Sequence, residues 1–251
     1  MKYRTFAVIC AAFLAAGALA GCGGNDQKAT EAEESSEAAE TEESSEDAQE
    51  DEAVSEEEAE AAGFSDGTDE DGTVSGETVL DTSQELTGLH HAEISIKDYG
   101  TIELELDADT APITVTNFVK LAQEDFYDGL TFWRIMDGFM IQGGDPEKNG
   151  TGGADENIKG EFSNNGVEND ISHTRGTVSM ARAADPDSAS SQFFIVQTDS
   201  TFLDGDYAGF GHVTEGMDIV DQICKDAKPT DNNGTIEEEE QPVIESITIL
   251  D

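Results

Sequence analysis

Acidic residues are concentrated in one long stretch of this chain, so we expect a folded domain only in the rest of the sequence. From Gly23 to about Gly88 the sequence is rich in Glu, Ser and Ala, with Lys28 as its one basic residue. Strong self-repulsion and few apolar side chains leave such a segment unable to bury enough surface to offset its chain entropy. We therefore predict a disordered acidic tether over residues 22–88. Residues 89–251 are long enough for one domain with its own core.

The N-terminal end carries a targeting pattern. Lys2 and Arg4 precede an apolar run from Phe6 to Ala20, which is shorter than the roughly 20 residues that a membrane-spanning helix needs. The run ends in "LAGC", which resembles the lipobox of bacterial lipoproteins. This resemblance implies a signal peptide over residues 1–21 and a palmitate-type lipid on Cys22. An ordinary cleaved signal peptide with a chance cysteine is the alternative. We expect a lipoprotein outside the cytoplasm, anchored to the outer face of the bacterial cell membrane.

The charge and cysteine content of the chain argue against nucleic-acid binding and against an intramolecular disulfide. The chain has 57 acidic and 12 basic residues, a formal net charge of -45. Nucleic acid is therefore an unsuitable partner, because its phosphates require a basic surface. Cys10 lies in the signal peptide and Cys22 would carry lipid, so Cys224 remains alone and no intramolecular disulfide is expected.

Familiar catalytic motifs are missing from the sequence. It has no "GxSxG" elbow, no phosphate-binding glycine loop and no "HExxH" motif. None of the histidines has another ligand at metal-binding spacing. They are His90, His91, His173 and His212. We therefore predict no metal and no cofactor.

The apolar pattern of the domain favours a mainly β fold. "HAEISIKDYGTIELELDAD" alternates apolar and polar residues around "DYG", which predicts a β-hairpin. "GTVSMAR", "SQFFIVQ", "FGHV" and "PVIESITIL" are further strand candidates. One helix is expected from Pro112 and a second over "GMDIVDQICK". Many short strands with only two helices indicate a closed or nearly closed barrel, which removes sheet edges.

One arginine stands inside an apolar run, in "TFWRIMDGFMIQGGD", Thr131–Asp145. The motifs "FWRIMDGFMIQGGD", "NGTGG", "GTVSMAR", "SSQFFIVQ" and "FLDGDYAGFGHVTEGMDIVDQI" follow in the order and approximate spacing found in cyclophilin-type peptidyl-prolyl cis-trans isomerases. The resemblance covers about residues 91–251. It implies a closed eight-stranded antiparallel β-barrel capped by two α-helices, and a monomer.

The resemblance also implies a substrate site. Arg134 would be the catalytic arginine that polarises the prolyl amide, and Gln142 would hydrogen-bond the substrate backbone and help to hold Arg134. Phe194 and Phe210 are expected in the core. The predicted substrate-binding residues are Phe139, Met140, Phe193 and Leu203 in the pocket wall, Phe202 and Tyr207 at its rim, Ala181 and Arg182 along the substrate backbone, and Gln192 at the matching end of "SSQFF".

The reaction explains why an arginine suffices. Rotation about an Xaa-Pro bond faces a barrier of about 18–20 kcal/mol and breaks no bond, so neither a nucleophile nor a metal is needed. A fixed positive donor beside an apolar proline pocket can stabilise the twisted amide. A rate gain of about 10⁵-fold requires about 7 kcal/mol of such stabilisation. Arginine suits this task because its guanidinium stays charged and planar.

Three positions depart from the family pattern. Trp133 stands where many members have histidine, and Tyr207 replaces a frequent histidine. Phe202 replaces a tryptophan whose indole helps eukaryotic members bind cyclosporin, so weaker cyclosporin binding is expected.

Three functions remain open at this point. The first is an isomerase that speeds folding of proline-containing secreted polypeptides. The second is a binding module or holdase that grips proline segments with little turnover. The third is a surface-charge role of the tether.

Overall fold

The computed structural model describes residues 79–251. The predicted signal peptide, Cys22 and most of the predicted tether lie outside this range. Within it, no helix combines the length and apolar character needed to cross a membrane.

Eight strands and two α-helices make up the described domain. The strands are β1 (Leu89–Ile96), β2 (Gly100–Asp107), β3 (Phe132–Met136), β4 (Met140–Gly143), β5 (Thr177–Met180), β6 (Phe193–Val196), β7 (Gly209–Glu215) and β8 (Ile244–Ile249). The helices are α1 (Pro112–Gln123) and α2 (Met217–Asp226). Short 3-10 turns occupy Ser163–Asn165, Thr201–Leu203 and Glu238–Glu240. The predicted hairpin, both helices and the mainly β character are confirmed.

The strands form a single antiparallel sheet in the order β3-β4-β6-β5-β7-β2-β1-β8. The sheet is curled into an open half-barrel, so the predicted closed barrel is not confirmed. The end strands β3 and β8 share no ladder, and the segments before them meet in one isolated bridge between Thr131 and Val243. The free edge of β3 is instead covered by a loop, through a bridge between Arg134 and Thr235. Covering an edge strand with a loop is one way in which proteins keep that edge from pairing with another chain.

The alternation of apolar and polar residues in the β1–β2 hairpin determines which of its side chains enter the core. Ile94 and Ile102 are fully buried and pair across β1 and β2. On α1, Phe118 is buried and its ring centroid lies 5.3 Å from those of Tyr127 and Phe210. Burying one such side chain stabilises the fold by about 1.5–3 kcal/mol.

Helix α1 receives its N-terminal cap from a distant loop. The residue before it, Ala111, offers no side-chain hydrogen bond. The buried carboxylate of Glu161 accepts hydrogen bonds from the backbone N–H groups of Ile113 and Thr114, at 3.1 and 2.8 Å, and from the Thr114 hydroxyl at 2.7 Å. A negative charge is favoured at this end of a helix, so Glu161 is stabilised in spite of its burial.

The last residues of the predicted tether pack against α1. The Leu80 backbone N–H donates to the Gln123 side-chain oxygen at 2.6 Å, and the Leu86 N–H donates to the Thr116 hydroxyl at 2.8 Å. Both leucine side chains contact the main core. The folded region therefore starts before the predicted boundary at residue 89.

Candidate active site

The guanidinium of Arg134 is held at several points. Arg134 lies in β3, directly opposite Gln142 of β4. Its Nη1 donates to Gln142 Oε1 at 3.1 Å and its Nε donates to the Asn233 carbonyl at 2.7 Å. Its Nη2 lies 3.2 Å from the Met136 sulfur. These contacts fix the plane and the position of a permanent positive charge.

The loop that supplies the Asn233 carbonyl is itself built around Asp231. The Asp231 carboxylate accepts hydrogen bonds from the N–H groups of Asn233 and Thr235 at 2.9 and 3.0 Å. Gly234 adopts a positive φ of 87°, where a side chain would meet Met136 and the Ile135 carbonyl. The segment "DNNG", residues 231–234, is therefore a turn, and its shape places an acceptor on Arg134.

A second layer of hydrogen bonds lies behind Gln142. The Gln142 Nε2 donates to Gln192 Oε1 at 3.0 Å, and the Trp133 indole nitrogen donates to the same oxygen at 3.1 Å. The Gln192 Nε2 in turn donates to the Gly152 carbonyl at 2.8 Å. Gln192 thus orients Gln142, which orients Arg134.

Trp133 is buried against the "NGTGG" loop. A β-carbon on Gly150, which has a positive φ of 91°, would lie 2.6 Å from the indole ring. The buried Asp145 carboxylate holds this loop by accepting the N–H groups of Glu147, Asn149 and Gly150. The loop glycines therefore act as turn and packing positions beneath Trp133.

A small pocket opens beside the Arg134 guanidinium. Eight of the predicted site residues line it together with Phe194. The lining residues are Arg134, Phe139, Met140, Gln142, Ala181, Arg182, Phe194, Leu203 and Tyr207. The structure thus brings together residues that are up to 73 positions apart in the sequence.

The structure places Phe193 in the core, so its assignment to the pocket wall is wrong. Its ring is fully buried, with the centroid 5.5 Å from that of Phe118, 5.7 Å from that of Tyr127 and 6.0 Å from that of Phe132. The adjacent Phe194, expected in the core, lines the pocket instead. Successive residues of a strand face opposite sides, so an error of one residue exchanges the two roles.

Two other predicted residues lie beside the pocket without lining it. Gln192 sits behind Gln142, as described above. The Phe202 ring is 72% exposed, and its centroid is 5.7 Å from that of Phe139. Phe202 therefore extends the aromatic surface outward at the rim.

Sequence reasoning missed a buried histidine that supports the pocket wall. The His173 ring stacks on Phe194, with centroids 6.0 Å apart and 17° between planes. Its Nδ1 lies 2.8 Å from Asp204 Oδ1, and its Nε2 lies 2.9 Å from the Ser179 hydroxyl. Burial lowers the pKa of His173, and this effect outweighs the carboxylate of Asp204, which raises it. The neutral ring therefore donates from Nδ1 to Asp204 and accepts from Ser179 at Nε2.

This Ser-His-Asp arrangement is structural. Ser179 is fully buried on β5, so its hydroxyl cannot reach a substrate carbonyl. A nucleophile in such a triad has to face the substrate. Within residues 79–251, no cluster of three or more His, Cys, Asp or Glu side chains is arranged to hold a metal ion. The pocket therefore offers a fixed cation beside an apolar wall.

Comparison with known proteins agrees with this geometry. The family model described as cyclophilin type peptidyl-prolyl cis-trans isomerase/CLD matches residues 91–250. The chain belongs to the cyclophilin family. It is a peptidyl-prolyl cis-trans isomerase of class EC 5.2.1.8, so the family and the enzyme class predicted from the sequence are confirmed.

Relatives of this cyclophilin occur in bacteria. A peptidyl-prolyl cis-trans isomerase of Acinetobacter baylyi is 44% identical over 130 residues, which are 50% of this chain and 67% of the relative. Peptidyl-prolyl cis-trans isomerase B of Bacillus subtilis is 46% identical over 125 residues, which are 50% of this chain and 84% of the relative.

A solved structure is also similar. The crystal structure of a cyclophilin type isomerase of Cryptosporidium parvum has a TM-score of 0.57 and 27% identity. The match covers 64% of this chain and 98% of that one. A second crystal structure of that protein, in the presence of the dipeptide Ala-Pro, has a TM-score of 0.56 and 28% identity.

Proposed function

We propose that this cyclophilin accelerates Xaa-Pro isomerisation by non-covalent stabilisation of the twisted amide, with Arg134 as the catalytic donor. The contacts of Arg134 carry the proposal. Its guanidinium is held by the Asn233 carbonyl and the Gln142 amide at the edge of a pocket whose wall includes Met140 and Phe194.

Pre-organisation is the physical basis of the mechanism. As the amide twists, its nitrogen loses resonance and regains a lone pair, so a donor fixed in advance stabilises the transition state more than the planar ground state. Removing one pre-organised donor typically costs about 10²–10³ in turnover. Phe139, Met140 and Leu203 would hold the proline ring while the bond rotates.

We further propose that the enzyme acts on proline-containing segments of secreted polypeptides outside the cytoplasm. The lipobox-like "LAGC" and the acidic tether support this location, because together they would hold the domain near a membrane surface. Cells given labelled palmitate should then incorporate the label into the wild-type protein and not into Cys22→Ala. A wild-type protein that carries no label would contradict the anchor and leave the chemistry of the pocket untouched.

The mechanism is tested by exchange spectroscopy on a short Xaa-Pro peptide with wild type, Arg134→Ala and Arg134→Lys. Wild type should accelerate cis-trans exchange, and Arg134→Ala should lose about 10²-fold or more of that activity while remaining folded. Arg175→Gln is a matched control, because Arg175 pairs with Asp221 and neither residue lines the pocket. Full activity in Arg134→Ala would overturn the mechanism. Peptide binding without accelerated exchange in wild type would favour the alternative function, a binding module or holdase.

A further inference from the structure

The pocket contains a second guanidinium, that of Arg182. Residues 79–251 include three arginines, Arg134, Arg175 and Arg182, and two of them, Arg134 and Arg182, line the pocket. Arg175 forms an ion pair with Asp221 at 2.8 Å. Two positive charges therefore converge on one site in a strongly acidic protein.

The Arg182 side chain is held in place by neutral partners. Its guanidinium carbon lies 5.0 Å from the ring centroid of Phe162 and 4.8 Å from that of Tyr207. Its Nε donates to the Asp206 carbonyl at 2.8 Å, and its Nη1 donates to the Ala183 carbonyl at 2.9 Å. Arginine has five N–H donors, so these contacts fix the group and leave donors for a ligand.

Arg182 forms no ion pair within the described domain. Among the described residues, no carboxylate lies within 4.0 Å of its nitrogens. The residue whose carbonyl accepts from Arg182, Asp206, directs its carboxylate to another donor, the Asn164 amide at 2.9 Å.

We propose that Arg182 is a specificity-determining residue that favours client segments with an aspartate or glutamate close to the proline. A planar guanidinium held between two rings matches a carboxylate, which it can bind through paired N–H donors. The domain as a whole is acidic and repels acidic peptides at long range, but salt screens that repulsion beyond about 10 Å at 0.1 M. The contact with Arg182 acts at short range, so it determines the preference for an acidic residue near the proline at physiological salt.

The test compares kcat/KM on matched peptides that carry either glutamate or glutamine near the proline. Peptides of the form Ala-Ala-Pro-Ala-Ala carry glutamate or glutamine at each of the two positions before and the two after the proline. For each position, kcat/KM is measured by exchange spectroscopy in wild type, Arg182→Gln, Arg182→Lys and the control Arg175→Gln. Dividing the glutamate value by the glutamine value within one variant removes any general change in turnover.

In wild type, glutamate should be preferred about three- to tenfold at one or more positions, as expected for a rim ion pair with charge-assisted hydrogen bonds. Arg182→Gln should bring that ratio to about one, Arg182→Lys should keep part of it, and Arg175→Gln should leave it unchanged. A wild-type ratio of one or less at every position would overturn the proposal, and so would a preference that persists in Arg182→Gln.

If Arg182→Gln turns over too slowly, the same ratio is taken from dissociation constants measured by NMR titration, which need no catalysis. The inference rests on the proposed function because the same pocket takes the proline. The two fail separately. Activity that survives Arg134→Ala overturns the mechanism, whereas an unchanged glutamate-to-glutamine ratio in Arg182→Gln overturns only the specificity.

Discussion

The Trp133 indole nitrogen donates a hydrogen bond of 3.1 Å to the side-chain oxygen of Gln192. The same oxygen accepts from Gln142, which holds Arg134. Trp133 is 5% exposed and points away from the substrate pocket into the "NGTGG" loop. The tryptophan that departs from the family pattern therefore supports the arginine from behind, without occupying the pocket.

Trp133→Phe should weaken this support. The change removes an indole donor and leaves the buried Gln192 oxygen with one donor fewer, at a cost of about 1 kcal/mol of unfolding free energy for the hydrogen bond alone. We expect kcat/KM to fall about three- to tenfold, because Gln142 and Arg134 become less fixed. Urea unfolding and exchange spectroscopy measure the two effects. Stability that falls while kcat/KM stays at the wild-type value would show that the hydrogen bonds from Trp133 through Gln192 and Gln142 do not affect Arg134.

Gly234→Ala should damage the site through the loop that holds Arg134. Gly234 has a φ of 87°, and an added β-carbon would lie 2.5 Å from a Met136 side-chain carbon and 2.7 Å from the Ile135 carbonyl oxygen. The neighbouring Asn233 carbonyl, which accepts from Arg134, would have to shift. We expect a loss of about 1–3 kcal/mol in unfolding free energy and about a tenfold loss of kcat/KM.

A matched control for Gly234 is Gly166→Ala. Gly166 has a φ of 77°, and a β-carbon added there would meet no part of the described domain within 4 Å apart from its own chain neighbours. This change therefore tests the cost of the backbone conformation alone, about 1–2 kcal/mol. Activity should remain at the wild-type level in Gly166→Ala. Equal activity in the two variants would contradict the role given to the Asn233 loop.

The two neighbouring phenylalanines of β6 should respond differently to substitution. Phe193→Leu opens space in the aromatic core and should cost about 1–3 kcal/mol of unfolding free energy with little change in KM. Phe194→Leu alters the pocket wall, so KM should rise several-fold with a smaller loss of stability. Chemical unfolding and steady-state kinetics on both variants separate the effects. A raised KM in Phe193→Leu and not in Phe194→Leu would reverse the assignment of the two rings.

The exchange of Phe193 and Phe194 shows where sequence patterns stop being informative. Alternation in the first hairpin indicates which residues face inward, because one side of it is polar. All four residues of β6 are buried, so its sequence, "FFIV", carries no alternation from which to choose a face. Motif order located the strand, and only the sheet pairing fixed its register.

Other parts of the site could not be predicted, because no sequence pattern indicates them. Asn233 contributes its backbone carbonyl to Arg134, and any residue has such a carbonyl, so side-chain chemistry could not reveal it. The open edge of the half-barrel was equally hidden, because the loop that covers β3 is polar and irregular. By contrast, Arg134 and Gln142 were predictable, since an arginine in an apolar run is unusual and its motif is specific.

The buried His173 should make the domain less stable in mild acid. Burial lowers the pKa of His173 below its ordinary value of 6.5, so the unfolded chain binds a proton at a higher pH than the folded domain does. Stability linked to this group is therefore complete above about pH 6.5 and falls as the pH drops toward the folded pKa, with a slope of at most about 1.4 kcal/mol per pH unit. Burial by itself would raise the pKa of Asp204, but its hydrogen bonds to His173 and Ser172 together outweigh burial and lower that pKa, so the contribution of Asp204 to stability is lost only at a lower pH, as the carboxylate is protonated.

Urea unfolding of wild type and His173→Gln between pH 7.5 and pH 5 isolates the effect. His173→Gln is expected to be less stable at pH 7.5, because the glutamine cannot reproduce both hydrogen bonds and the stacking on Phe194. The decisive quantity is the slope of the unfolding free energy against pH. Wild type should lose unfolding free energy below pH 6.5, whereas the variant should show a flatter profile over the same range, since the exposed histidines are common to both proteins. Parallel profiles would mean that His173 is not protonated in the unfolding transition, and the neutral, structural role assigned to its ring would then lack support.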